Sequence, residues 1–174
     1  VWSLALSETL IWAATFYAFA ALLPAWEQEV AWTKTQLSGA FSLALFISAL
    51  LAPFTGRQID RGQAKIVLAL GPILAGLGLL LLASAQDTGR FYLSWAILGV
   101  AMAGSLYDPC FAYLTRIFGP GRQRAITLVT LAAGLAGTVS FLGFYWLTEL
   151  LDWRAAVRVA ALVAVLIVAP LNIV

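Results

Sequence analysis

The chain has 174 residues, 63% of them hydrophobic and 10% charged, with a net charge of +2 and a mean hydropathy of +0.95. A soluble domain carries about 25% charged residues and roughly 45–50% apolar ones, and a fold of this size keeps a large share of its surface exposed, so the surplus apolar surface must face lipid. The absence of His, with Cys110 as the single Cys, excludes an internal disulfide, a Cys/His zinc centre and any chemistry that needs a catalytic His. No enzyme activity and no cofactor are therefore expected, and the small net charge makes no case for a nucleic-acid partner.

Long uncharged stretches define the elements in chain order. They predict one domain over residues 1–174 made of six transmembrane helices, at about 5–26, 35–56, 66–86, 91–117, 124–148 and 154–174. Each meets or approaches the about 20 apolar residues that a membrane crossing needs. The alternation of apolar and polar residues that a membrane β-barrel requires is absent. The chain starts at Val1 and its only Met is Met102, so a processed or trimmed piece is expected.

On the first helix Glu8, Trp12 and Thr15 share one face. Glu8 is read first as an interfacial carboxylate reaching toward water, and second as a group on a solute path. Trp12, Tyr17 and Tyr107 are packing aromatics or, alternatively, lining groups for a solute.

The connection after the second helix, 56–65, reads GRQIDRGQAK and holds four of the chain's eighteen charges. Gly56 and Gly62 would permit a reversal. Arg57, Arg61 and Lys65 would mark a cytoplasmic loop, because Lys and Arg in short loops set orientation. Connections two and four carry the larger share of basic residues, which places them, and both chain ends, in the cytoplasm. Trp26, Trp32, Trp95, Trp146 and Trp153 then fall near the outer ends, where an indole suits the headgroup level. Asp60 admits two readings: an incidental loop acid, or the acceptor of a charge-assisted bond from Arg116 that latches one conformation.

Asp108 lies within the fourth helix, where an acid costs about 2.5–3.5 kcal/mol to insert. Pro109 beside it should kink the helix and free carbonyls next to the carboxylate. Asp108 is read preferentially as a group on a solute or proton pathway, with a structural Asp tied to a neighbouring helix as the alternative. In the fifth helix, Ala133 with Gly137 and Thr130 with Gly134 give small-xxx-small spacing for close helix packing.

The pattern Gly56-x-x-x-Asp60-Arg61-Gly62-x-x-Lys65 resembles the signature loop of major facilitator superfamily transporters. It departs from that pattern in having its second Gly one residue early, with Gln63 and Ala64 in the following places. The segments PAWEQEVAWTKTQLSGAFSLALFISALLAP and LYDPCFAYLTRIFGPGRQRAITLVTLAAGLAGT are similar to bacterial members. The resemblance spans essentially the whole chain, as the amino-terminal six of twelve helices. It implies an all-α membrane fold with a 3+3 inverted repeat and a gate at Gly56, Asp60, Arg61, Gly62, Lys65 and Arg116.

It also implies secondary active transport of a small solute by alternating access, as symporter or antiporter, against a second six-helix half in a bacterial inner membrane. That half would be the missing carboxyl-terminal one or a second copy of this chain. A proton is the expected coupling ion, on the strength of Asp108. No Gly-x-x-x-x-Gly-Lys-Ser/Thr phosphate loop is present to support ATP use. The rival expectations are a membrane scaffold or regulatory half-protein that transports nothing, and a half-transporter active only as a homodimer.

Overall fold

The computed structural model describes residues 1–30 and 32–173. The expected last residue of the sixth helix, Val174, lies outside them. Among the described residues the chain is all helix, with no strand. Ten α-helical segments follow in order: α1 Trp2–Ala14, α2 Phe16–Glu29, α3 Lys34–Gln58, α4 Ala64–Ala83, α5 Thr88–Ser105, α6 Tyr107–Phe118, α7 Arg122–Ala133, α8 Ala136–Leu150, α9 Trp153–Val163 and α10 Ala169–Leu171. They merge into four runs long and apolar enough to cross a membrane, Trp2–Glu29, Lys34–Ala83, Thr88–Leu150 and Trp153–Leu171.

The two middle runs contain 50 and 63 residues. At about 1.5 Å per residue a straight rod of either length would far exceed a hydrocarbon core about 30 Å thick. Each is broken by a glycine with positive φ, at Gly62 (φ 89°) and Gly119 (φ 46°). Only glycine takes such angles without strain, so these two positions reverse the chain. Gly56, by contrast, stays inside α3, which continues to Gln58. Three helix starts, those of α3, α5 and α9, are capped by side chains. Thr33 and Gln36 form a reciprocal capping box, and Asp87 and Asp152 accept from the amides of Arg90 and Ala155.

The helices gather in two groups. In one, α5 packs against both α3 and α4. In the other, α1 lies against α7 and α8, and α9 joins the groups by packing on α4 and α8. Glycines allow the closest crossings. A Cβ built on Gly71 would lie 2.8 Å from the Gly104 carbonyl, and one on Gly99 would lie 2.9 Å from Ala44 Cα. Between lipid-soluble helices, such close backbone approach supplies the attraction that hydrophobic exclusion supplies in water.

Near the α2 end of the bundle the core is aromatic. Trp26 meets Phe91, Trp95 and Trp153 edge to face, at interplanar angles of 89°, 88° and 87°. Phe19 stacks on Phe41 at 4.6 Å. Trp26, Trp95 and Trp153 are fully buried, so these three do not serve as headgroup anchors as expected; they join α2, α5 and α9. Their indole N–H groups have no oxygen or nitrogen acceptor among the described residues, which fits rings held by quadrupole contacts rather than hydrogen bonds. Trp146 is exposed and remains suited to an interface.

Overpacking a close crossing should destabilise by about 1–3 kcal/mol. Gly71→Ala is expected to lower the thermal midpoint in detergent, read by circular dichroism. Gly143→Ala, where nothing lies within 4 Å of the added methyl, should leave the midpoint unchanged or raise it.

Candidate functional site

The break between α5 and α6 is set by Pro109. Proline has no N–H for the carbonyl four residues earlier, that of Ser105. The helix opens upstream at Leu106 (φ −91°, ψ −163°), and Pro109 takes a place in the first turn of α6, where its missing N–H is tolerated. The kink therefore falls two residues before Asp108, not at Asp108 as expected, and the carboxylate sits in the first turn of a new helix. The positive end of the α6 dipole favours a negative group there.

Asp108 is exposed, with no hydrogen-bond or ion-pair partner among the described residues. It borders an open concavity of about 300 Å³ whose walls include Trp12, Phe16, Ser48, Met102 and Tyr107. The Trp12 and Tyr107 rings lie 4.6 Å apart, and Tyr107 stacks on Phe111 at 4.9 Å. Tyr17 stands back from this wall, 6.2 Å from Trp12 and in contact range of Gly137.

Glu8 is not at a water interface. It is buried, and its Oε2 accepts from Trp12 Nε1 at 3.1 Å. The Cys110 thiol lies against the same carboxyl. The bond commits the indole N–H of Trp12 to Glu8. Glu8 thus supports the site from behind.

The second cluster lies at the Gly62 reversal. Arg116 Nη1 donates to the carbonyl oxygens of Ile59 at 3.0 Å and of Asp60 at 2.7 Å. The chain departs from regular α-helix through the π-turn Ile59–Gln63 and Gly62, and the guanidinium supplies donors to two carbonyls of that turn. Arg116 and Asp60 are thus brought together, but through the backbone of Asp60 rather than its carboxylate. Gly62 passes beneath the guanidinium, 3.6 Å from Nη2 at its Cβ position. Lys65 turns away and donates to the Ile173 carbonyl at 3.0 Å, while Arg61 is exposed.

A further polar group had no place in the sequence reading. Asn172 is buried, accepts from Ser7 Oγ at 2.5 Å and donates to the Leu68 carbonyl at 2.7 Å, tying α1, α4 and the chain's end. A lone Asn among apolar residues was the available signal, since a polar group in such a setting needs a partner.

Apolar helices of membrane-crossing length around a few buried polar groups define an integral membrane protein. Residues 4–173 match the family model of the major facilitator superfamily. The chain belongs to that superfamily. Among curated relatives, an MFS-type efflux pump of Mycolicibacterium smegmatis is 34% identical over 73% of this chain and 29% of its own length. The puromycin resistance protein pur8 of Streptomyces alboniger is 32% identical over 78% of this chain and 26% of its own length. An MFS-type transporter of Gibberella moniliformis is 26% identical over 56% of this chain and 24% of its own length. The chain thus spans less than a third of the length of each of these relatives, two of which are named as an efflux pump and a transporter. No solved structure matches it.

Because Arg116 holds carbonyl oxygens, Asp60→Asn should leave its tie intact, whereas Arg116→Gln should lose two bonds from a charged donor, each worth about 1.5–3 kcal/mol before solvent exposure reduces it. Thermal denaturation of the single and double variants checks this. The effects are expected to add within about 0.5 kcal/mol, and strong coupling would instead indicate a carboxylate–guanidinium pair.

Proposed function

We propose that this chain is one six-helix half of a secondary active transporter that moves a small solute by alternating access. In this reading the helices cross the bilayer six times, with both chain ends and the Gly62 and Gly119 reversals on the cytoplasmic side. A second six-helix half completes the solute path. Family membership and the relatives' names support transport, and the efflux and resistance names favour export. Three basic residues around Gly62, Arg57, Arg61 and Lys65, and three around Gly119, Arg116, Arg122 and Arg124, support the orientation. The match to bacterial relatives favours an inner membrane.

The observation that carries the proposal is the exposed carboxylate of Asp108 at a helix break beside an aromatic-walled concavity. An acid within an apolar span normally faces protein or a water-filled cavity and marks a solute or ion path. Discontinuous helices form midplane sites in many transporters. Here the break supplies a helix amino terminus and a fixed acid at one point. Glu8, Trp12, Tyr17, Tyr107 and Pro109 shape or support that point, and Asp108 is the group that exchanges a proton as solute moves.

The loop from Gly56 to Lys65 is the cytoplasmic gate. Arg116 closes it by gripping the backbone at Ile59 and Asp60, and Asp60, Arg61 and Lys65 engage the second half in the state where the cytoplasmic side is shut. A grip made in one state only biases the equilibrium toward that state.

Uptake or export should be measured in vesicles containing the full-length protein, with and without a pH gradient. Asp108→Asn is expected to reduce gradient-driven transport by about tenfold or more, corresponding to about 1.4 kcal/mol of lost stabilisation, and to flatten its pH dependence. Unchanged transport with unchanged pH dependence would overturn the assignment of Asp108.

A further inference from the structure

We infer that the cleft between α7 and the first turn of α1 is a binding site for an anionic phospholipid. The inference rests on the crossing pattern proposed above, which puts the Gly119 reversal at a membrane surface, and is independent of Asp108.

The cleft follows from how the two helices start side by side. Leu4 and Ala5 of α1 pack with Ala125 and Val129 of α7 in one small buried cluster. Outside that seam, Trp2, Arg124, Thr127, Leu128 and Leu131 line an open concavity of about 630 Å³. A second depression, of about 480 Å³, adjoins it at Gln123 and is bordered by Gly119, Pro120 and Arg122.

The lining is graded along α7. Arg122 and Arg124 stand at the reversal, whereas Leu128 and Leu131 lie about 6 and 10 Å further along the axis than Arg124. Charge at the rim with hydrocarbon beneath it is the order of groups in a phospholipid. Trp2 is 74% exposed and Leu131 73%, so neither is spent on the protein's own packing. An indole suits the boundary between headgroups and acyl chains. Between the two levels, Gln123 and Thr127 offer neutral donors at the depth of the glycerol esters.

Charge selects the lipid. Arg122 and Arg124 are exposed and take no part in the ion pairs among the described residues. No Asp or Glu lines either depression. Arg116, the other base of this reversal, is engaged by the carbonyls of Ile59 and Asp60. Two uncommitted guanidinium groups in an acid-free lining favour a negative headgroup, and Arg matches phosphate oxygens with two parallel donors. Basic pockets between membrane helices hold anionic headgroups by this means. A zwitterionic lipid brings its own ammonium group, which offsets the attraction. Free phosphate would satisfy the arginines but leave Trp2 and Leu131 uncovered.

Trp2 supplies a local probe. With full-length protein in phosphatidylcholine vesicles, the difference in tryptophan fluorescence between wild type and Trp2→Phe isolates its signal. Quenching of that signal by brominated phosphatidylglycerol and by brominated phosphatidylcholine, at equal fractions, gives the relative affinity of the two lipids. Phosphatidylglycerol is expected to be preferred about tenfold, and Arg122→Gln with Arg124→Gln should cut the preference about fivefold or more. Both arginines are exposed and make no ion pair among the described residues, so the fold should survive their loss. The same change of charge at the other reversal, Arg57→Gln with Arg61→Gln, should alter the preference by less than about twofold, because salt screens exposed charges outside the site. Excess inorganic phosphate should not relieve the quenching.

Equal quenching by the two lipids, or equal loss from the two pairs of substitutions, overturns the site as a selector of anionic lipid. Relief by inorganic phosphate assigns the arginines to the free anion and overturns it likewise. Quenching by neither lipid means that protein covers Trp2, which also overturns it. Stronger quenching from bromines near the chain ends than from bromines near the headgroup would place Trp2 in the bilayer interior and overturn the crossing pattern itself.

Discussion

Hydrocarbon offers no partner to a peptide group, so every carbonyl or amide released by a helix break inside this chain must be served by protein or by water. The breaks and the polar side chains occur together for that reason. At Thr15 the chain leaves regular helix, Thr15 Oγ1 bonds the Ile11 carbonyl and Ser140 from α8 donates to Ala13. At the π-turn Ile59–Gln63, Arg116 serves two carbonyls. Near the end of the described chain, Asn172 serves Leu68. The break at Leu106 differs, because it opens beside the concavity that Asp108 borders. Polar repairs elsewhere hold helices together, whereas here the chain presents polar atoms to an opening.

The same constraint explains how the remaining charge is spent. The ion pairs among the described residues are Lys34–Glu27, Arg90–Asp87 and Arg154–Glu29. All belong to the ends of the helices, where they are partly exposed and contribute little to stability. Arg154 also lies over the Trp153 ring at 4.2 Å, joining this rim to the buried aromatic core. That core and the glycine crossings at Gly71 and Gly99 do the packing. The bundle thus has its aromatic core at the end around Trp26, and polar ties from Arg116 and Asn172 elsewhere.

Much of this was legible in the sequence because charge is so scarce. The uncharged stretches separate the helical pieces, and the resemblance of the Gly56–Lys65 loop led to the superfamily. What the residues alone concealed was direction. Trp26, Trp95 and Trp153 occupy headgroup-like places in the order of residues, yet they face one another, since three indoles on three helices can fill one core. Glu8 stands near the start of its helix, as an interfacial acid would, but points inward to Trp12 and Cys110. Arg116 reaches Asp60 at its backbone carbonyl and not at its carboxylate, a contact to a π-turn that no residue pattern announces. Pro109 signalled a break, but its tolerance in a first turn moved that break two residues upstream.

The central claim is that the break at Leu106 turns Asp108 toward an aqueous cavity while the apolar faces of the bundle meet lipid. In full-length protein with Cys110→Ala, Asp108→Cys should react in intact membranes with a charged, membrane-impermeant thiol reagent, and Leu166→Cys, on the exposed apolar face of the last helical run, should not. A residue 108 thiol as unreactive as that at 166, and quenched by lipid-borne rather than aqueous probes when labelled, would contradict the account.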